Sequence, residues 1–296
     1  FFNTFYALCL GIFLVMLVAD MFLPAMFVAL SAYSKPENKT RSVTLIRLAI
    51  NLGFSAGPAV GGIIITTLGY TGLFWLDGIT CILATIVLIM VLNPKKSIVL
   101  DDIILTNPDS AYKDKAFTIF LIAMFLFGII FLQYFSTLPI YYREVHVLTE
   151  IEIGLLLGAN GFFIFLLEMP LIKWLENSRF SKTDLMIFGA VLTASSFIIL
   201  NITTWSGIMT IGEMIAFPFS NAFAMERAKK GNQGEYMALY SIAFSMAHIF
   251  GHKAGMQMVD GWGFNNTWYM ITVIGGFCVL LLLILKSHLS LRKQLD

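Results

Sequence analysis

The chain has 296 residues, of which 58% are hydrophobic and 12% charged, with a mean hydropathy of +0.83. A soluble domain is about 45–50% apolar and about 25% charged, so too few charges remain here to clothe a water-facing surface, and a cytosolic enzyme is excluded. The near balance of 19 Lys+Arg against 18 Asp+Glu, with no polar tract, also excludes a disordered chain and a nucleic-acid binder.

Nine stretches are apolar over the roughly 17–25 residues needed to cross a bilayer. They cover about 6–33, 43–67, 72–93, 116–138, 152–173, 184–202, 206–225, 235–258 and 266–286. Each is continuously apolar rather than alternating, which predicts helices and not barrel strands. The expected fold is an all-α polytopic membrane protein whose main partner is the lipid bilayer.

Within the second stretch, Gly53, Gly57 and Gly61 recur every four residues, a small-residue stripe that permits close helix approach. Pro58 removes one backbone hydrogen bond and offers a bend. Plain helix packing and a conformational hinge both fit this pattern. Gly53-Phe54-Ser55-Ala56-Gly57 also satisfies G-x-S-x-G, but that nucleophile motif needs a strand-to-helix turn and here lies inside an apolar helix. No enzyme is expected. Cys9, Cys81 and Cys278 are scattered singly, which predicts neither disulfide framework nor zinc site, and no HExxH or Walker loop occurs. No metal and no cofactor are expected. The chain opens on Phe1-Phe2 without Met or a basic leader, so no signal peptide is expected either.

The loops between stretches orient the chain. One set holds Lys35, Lys39, Arg41, Lys95, Lys96, Lys113, Lys115, Lys173, Arg179, Lys182, Arg227, Lys229, Lys230, Lys286, Arg292 and Lys293, 16 cations in all. The opposite loops, around 68–71, 139–151, 203–205 and 259–265, hold Arg143. The positive-inside rule makes the first set cytoplasmic, with residue 1 outside and the C-terminus inside.

An internal repeat accounts for the odd number of stretches. Gly57-x3-Gly61-x7-Gly69-Tyr70 recurs as Gly251-x3-Gly255-x7-Gly263-Phe264, at an offset of 194. At the same offset Pro24 matches Pro218, each preceded by an acid, Asp20 and Glu213. Stretches 1–3 therefore correspond to 7–9, and 4–6 have no counterpart before residue 1. The expectation is a two-half carrier lacking its first three helices. Its parts would be 1–93 (remainder of the N-terminal half, three helices), 94–115 (a cytoplasmic linker with Asp101, Asp102, Asn107-Pro108-Asp109) and 116–296 (the C-terminal six-helix half).

These features resemble the major facilitator superfamily, and within it the proton-coupled drug-efflux antiporters. Gly53-x3-Gly57-Pro58-x2-Gly61-Gly62 matches the core of their fifth-helix signature, although the signature's earlier glycine is Thr44 here. Arg41 opening the next helix and Gly234-Glu235-Tyr236-Met237 entering the eighth stretch are also similar to the family. The resemblance covers essentially the whole chain, as helices 4 to 12 of twelve. It implies a monomeric secondary transporter in the bacterial inner membrane that moves a small-molecule cargo by alternating access. Efflux in exchange for protons, with the proton gradient as energy source, is the expected mode. A proton symporter or facilitator for a nutrient is the alternative, and an intramembrane hydrolase or a non-transporting membrane protein the distant one.

Charges inside the stretches are where coupling chemistry is expected, because a charge at a helix centre costs about 2.5–3.5 kcal/mol on insertion scales. They are Asp20, Arg47, Asp77, Glu168, Glu213 and Lys253. Glu213, then Asp20, lie nearest mid-membrane and are the proton-coupling candidates; a static neutral or paired carboxyl is the plainer reading. Arg47 and Asn51 are four apart on one face and are gate candidates. Glu168, five before Lys173, is a candidate latch with it, and Asp77 a rim residue. His248, His252 and Lys253 are candidates to line a cavity. The two histidines share a face, but no third ligand is near.

Overall fold

The computed structural model describes residues 4–20, 22, 39–92, 110–203, 207–227 and 233–295. Pro24, most of the expected 94–115 linker and the side chains of Asp20 and Arg47 lie outside the described residues. Every regular element among the described residues is helical. In chain order they are α1 (Phe5–Asp20), α2 (Lys39–Val91), a short 3₁₀ turn (Ala111–Lys113), α3 (Lys115–Leu132), α4 (Thr137–Glu144), α5 (Glu150–Glu176), α6 (Lys182–Leu200), α7 (Gly207–Arg227) and α8 (Gln233–Leu295). Six stretches among them are long and apolar enough to cross a membrane. They do not separate into the nine expected helices, because stretches 43–67 and 72–93 share α2, while 235–258 and 266–286 share α8.

Both long helices are broken by a glycine. Gly69 has φ 69° and ψ −179°, and Gly263 has φ 73° and ψ 170°. That region is open essentially to glycine alone. The 63 residues of α8, if straight, would run about 95 Å, three times the hydrocarbon thickness of a bilayer. They do not run straight. A methyl built on Gly251 would lie 3.3 Å from the Ile129 Cα, and one on Gly275 would lie 3.5 Å from the Ile130 side chain. Along a straight helix those two glycines would stand about 36 Å apart. The chain therefore doubles back between them, with Gly263 at the midpoint. In α2 a methyl on Gly61 would meet the Leu73 side chain at 3.7 Å, so that chain folds back too, around Gly69.

The described chain forms two compact units, residues 1–51 with 74–102 and residues 52–73 with 103–296. In the first, α1 and the later part of α2 expose Phe13, Val15, Phe74, Ile82 and Ile89, as lipid-facing helices do. The second has a core of fully buried Phe117, Phe120, Phe127, Ile130, Leu138, Phe197 and Trp268. Lipid is as apolar as these side chains, so burying them drives association little, and small residues that let backbones approach matter more. Gly128 meets the Ala247 side chain, and Gly275 meets Ala194. Gly189 and Gly212 face each other so closely that a methyl on either would stand 2.8 Å from a carbonyl oxygen of the other.

Helix ends alternate between two faces as the charge asymmetry predicts. One face holds the starts of α3 and α6, the end of α7 and the C-terminal part of α8, tied by Arg227–Asp114, Lys182–Glu226 and Lys286–Asp184 ion pairs. Their three cations all belong to the set expected in the cytoplasm. At the opposite face Tyr141 donates to the Leu200 carbonyl (3.2 Å) and Asn201 to that of Asn265 (3.4 Å). Two helices begin with reciprocal caps, Thr149 with Glu152 and Ser181 with Asp184. Such a cap satisfies two orphan backbone donors and fixes where a helix leaves the loop.

Candidate functional site

The candidate site lies where α5 meets α7. On α7, Gly212 is pressed to α6: a methyl there would stand 2.7 Å from the Thr193 backbone nitrogen. This fixes the rotation of α7. Thr210 and Glu213, three residues apart and so on one side of the helix, turn toward α5. Asn160 of α5 stands between them. Its amide nitrogen donates to Glu213 Oε2 (3.4 Å), and its carbonyl oxygen accepts from the Thr210 hydroxyl. Asn160 and Thr210 are each 7% exposed, and Glu213 is half-buried. Glu168 lies eight residues along α5 from Asn160, is 3% exposed and acts electrostatically on Glu213. One carboxyl, one amide and one hydroxyl thus meet within apolar helices, with the buried Glu168 carboxyl eight residues, about 12 Å, further along α5. Such oxygen-rich sets hold protons or hard cations, and ionisable groups at membrane depth mark transport pathways.

Glu168 and Lys173, five residues apart, point about 140° from each other around the helix, and Lys173 is exposed. His248 and His252 have ring centroids 5.6 Å apart, with His248 and Lys253 exposed. No group of three potential metal ligands occurs among the described residues. Asn51 is half-buried and Asp77 exposed, both in the first unit. Pro218 is buried on α7, five residues beyond Glu213. Among the described residues a methyl on Gly53 or Gly57 would meet nothing within 4 Å. Gly62 makes the close approach instead, its methyl position 2.9 Å from the Glu150 carbonyl oxygen, while one on Gly154 would lie 2.7 Å from that of Pro58.

Sequence reasoning missed Asn160, Thr210, Gln133 and Thr137. Gln133 Nε2 donates to the carbonyls of Ile129 and Gly251, each at 2.9 Å, and its Oε1 accepts from Thr137 at 2.6 Å. These bonds satisfy polar groups at the break between α3 and α4. A neutral amide inside an apolar stretch was the available signal in both places.

The family model described as Major Facilitator Superfamily matches residues 1–252 and 148–294. The Na(+), Li(+), K(+)/H(+) antiporter of Planococcus maritimus is 25% identical over 189 residues, covering 57% of this chain and 43% of that protein. The uncharacterized MFS-type transporter YttB of Bacillus subtilis (strain 168) is 23% identical over 276 residues, 88% of this chain and 66% of the relative. The chain thus spans less than two thirds of the curated relatives it matches. A solved POT family transporter, in complex with a thioalcohol-conjugated peptide, superposes with a TM-score of 0.70 at 16% identity, over 97% of this chain and 77% of the other. A bacterial metal transporter gives 0.58 at 16% identity, over 86% and 68%. At that identity the likeness is one of fold.

Proposed function

The chain belongs to the major facilitator superfamily, and from that premise we propose that its protein is a secondary transporter that exchanges a small solute or a monovalent cation for protons by alternating access. The observation that carries this reading is Glu213, a carboxyl inside an apolar helix whose oxygen is held by Asn160 from the facing helix. A carboxyl so placed alternates between taking a proton and taking a cation, because the apolar surroundings disfavour leaving it charged and alone. The Planococcus relative, named as a Na(+), Li(+), K(+)/H(+) antiporter, supports the same chemistry. Glu213 is the first coupling residue and Asp20 the second. The proposed setting is the inner membrane, with the C-terminus in the cytoplasm and the carrier acting as a monomer.

The test uses the full protein in proteoliposomes loaded with a pH-sensitive dye. A sodium, lithium or potassium gradient should drive proton movement in the opposite direction. Glu213→Gln should reduce that movement at least about tenfold, a change worth about 1.4 kcal/mol, while leaving expression and thermal stability unchanged. Undiminished exchange in Glu213→Gln would overturn the assignment. Proton movement in the same direction as a co-applied solute would favour symport.

A further inference from the structure

Helix α5 is held on two sides by different means. Toward α7 it offers Asn160, bonded to Glu213 and Thr210. Toward residues 52–73 it offers glycine and bare backbone: the Ser55 hydroxyl donates to the Gly158 carbonyl at 2.9 Å, and Gly154 and the Glu150 carbonyl lie against Pro58 and Gly62. At 100° per residue, Asn160 points about 160° from position 158 and about 120° from position 154, so the two contacts lie on different sides of one helix. One contact is polar and depends on what Glu213 is doing. Among the described residues the other is a glycine and backbone surface with one side-chain bond, that of Ser55, across it.

We propose that Asn160 is the positioning residue that ties the state of Glu213 to the seating of α5 on Ser55–Gly62, an inference that rests on the exchange reading above. Both ends of the Asn160 amide are used, so it cannot keep its bond to Thr210 and follow Glu213 elsewhere at the same time. When a cation takes the Glu213 oxygen, the Asn160 amide loses its acceptor. One of the two polar ties described between α5 and α7 near Glu213 is then broken, the Thr210–Asn160 bond being the other, and α5 is held less tightly against α7. When the cation leaves, the ionised carboxylate recovers a charge-assisted bond and draws α5 back. Thr210 keeps the amide turned the right way round, nitrogen toward the acid.

The groups that neighbouring helices set against residues 210–223 of α7 bound what else enters this exchange. From α5 the titratable one is Glu168. From α6 come Gly189 and Thr193, which do not titrate. From α3 come the Phe127 and Phe120 rings, against Phe217 and Phe223 of α7. From α8 comes Tyr240, bonded to Ser220 two turns further along.

The experiment measures sodium-driven proton movement by the full protein in proteoliposomes across pH 5 to 9. Asn160→Ala should lower exchange about tenfold at the wild-type optimum and shift the half-maximal pH by about half a unit to one unit, since a donor to the Glu213 carboxyl is gone. Thr210→Val, nearly isosteric, should move it the same way by less, and it guards against a folding defect in the larger truncation. Ser55→Ala alone should lower exchange about threefold. Combined with Asn160→Ala it should add nothing further, although the two side chains do not touch, because both act on one helix. An unshifted pH profile in Asn160→Ala, or losses that multiply to about thirtyfold in the double variant, would overturn the relay while Glu213→Gln stays inactive. If Glu213→Gln itself keeps wild-type exchange, the exchange reading fails first and takes the relay with it.

Discussion

Gly69 and Gly263 stand 194 residues apart and bend the chain alike, with φ of 69° and 73°, but the glycines leading up to them meet different surroundings. In the second copy a methyl on Gly255 would lie 2.6 Å from the Thr137 hydroxyl and would also strike Gln133. Its counterpart Gly61 would meet only the Leu73 side chain, at an ordinary 3.7 Å. The tight contact of the first copy falls one residue later, at Gly62, where the second copy has Met256. One residue is 100° of helix rotation, so each copy presents its close face in a different direction. The turn is a local property carried by a single glycine. The close face is set by whichever helix lies beside it, so repeated sequence does not imply repeated packing.

The strongest way to break this comparison is to add one methyl to each copy. In Gly255→Ala the methyl must displace Gln133, which is 1% exposed and already committed to two carbonyls and a hydroxyl. Overpacking costs about 1–3 kcal/mol and an unmade buried hydrogen bond about 1–3 kcal/mol, so a loss near 4 kcal/mol is expected. The Tm of the purified full protein should fall by about 8 °C or more. Gly61→Ala should leave Tm unchanged or raise it slightly, because alanine is the better helix former by up to about 1 kcal/mol. Equal losses at both positions would show that the copies pack alike after all.

The turns themselves should answer identically. Gly69→Ala and Gly263→Ala both force an L side chain into a backbone region that costs about 1–3 kcal/mol, and a methyl at either would touch nothing within 4 Å among the described residues. The two losses should therefore agree within about 0.5 kcal/mol when Tm is compared for the two variants. A clear difference would mean that tertiary contacts, not the local glycine, hold one of the turns.

What the sequence made legible follows the same division. The glycine-aromatic repeat marked both reversals, the charge asymmetry sorted the helix ends, and a mid-membrane acid pointed to Glu213, because each is written in one segment. Asn160 was illegible, since a single amide in an apolar stretch announces nothing until another helix places Glu213 opposite it. Glu168 was read with Lys173 from depth along the helix, whereas their five-residue spacing sets them about 140° apart around it. Gln133 escaped for the reason Asn160 did: its acceptor, the Gly251 carbonyl, is 118 residues away.

The smallest expected effect concerns how the second copy is fastened at its entry. Arg227 donates to both oxygens of Asp114, at 2.7 and 2.9 Å, and the Tyr236 hydroxyl donates to the same carboxylate at 3.1 Å. Asp114 also accepts from the Phe117 backbone and so caps α3. Burial works to raise its pKa, but the Arg227 hydrogen bond and charge, with the Phe117 and Tyr236 bonds, hold it below the ordinary carboxylate range. A carboxylate depressed in the native state stabilises fully above its unfolded value near 4, and that contribution is lost as pH falls through the native value. The pair is 21% and 14% exposed, so about 1 kcal/mol is at stake. Wild-type Tm should therefore drop more steeply than that of Asp114→Asn between pH 5 and 3, and the variant should be the less stable at pH 7. Because the second copy begins at this carboxylate, hydrogen exchange in Asp114→Asn should quicken for amides 236–250 and stay unchanged for 57–69. Equal quickening in both segments would mean that loosening one entry loosens the whole unit, and that the two copies, however differently packed, open together.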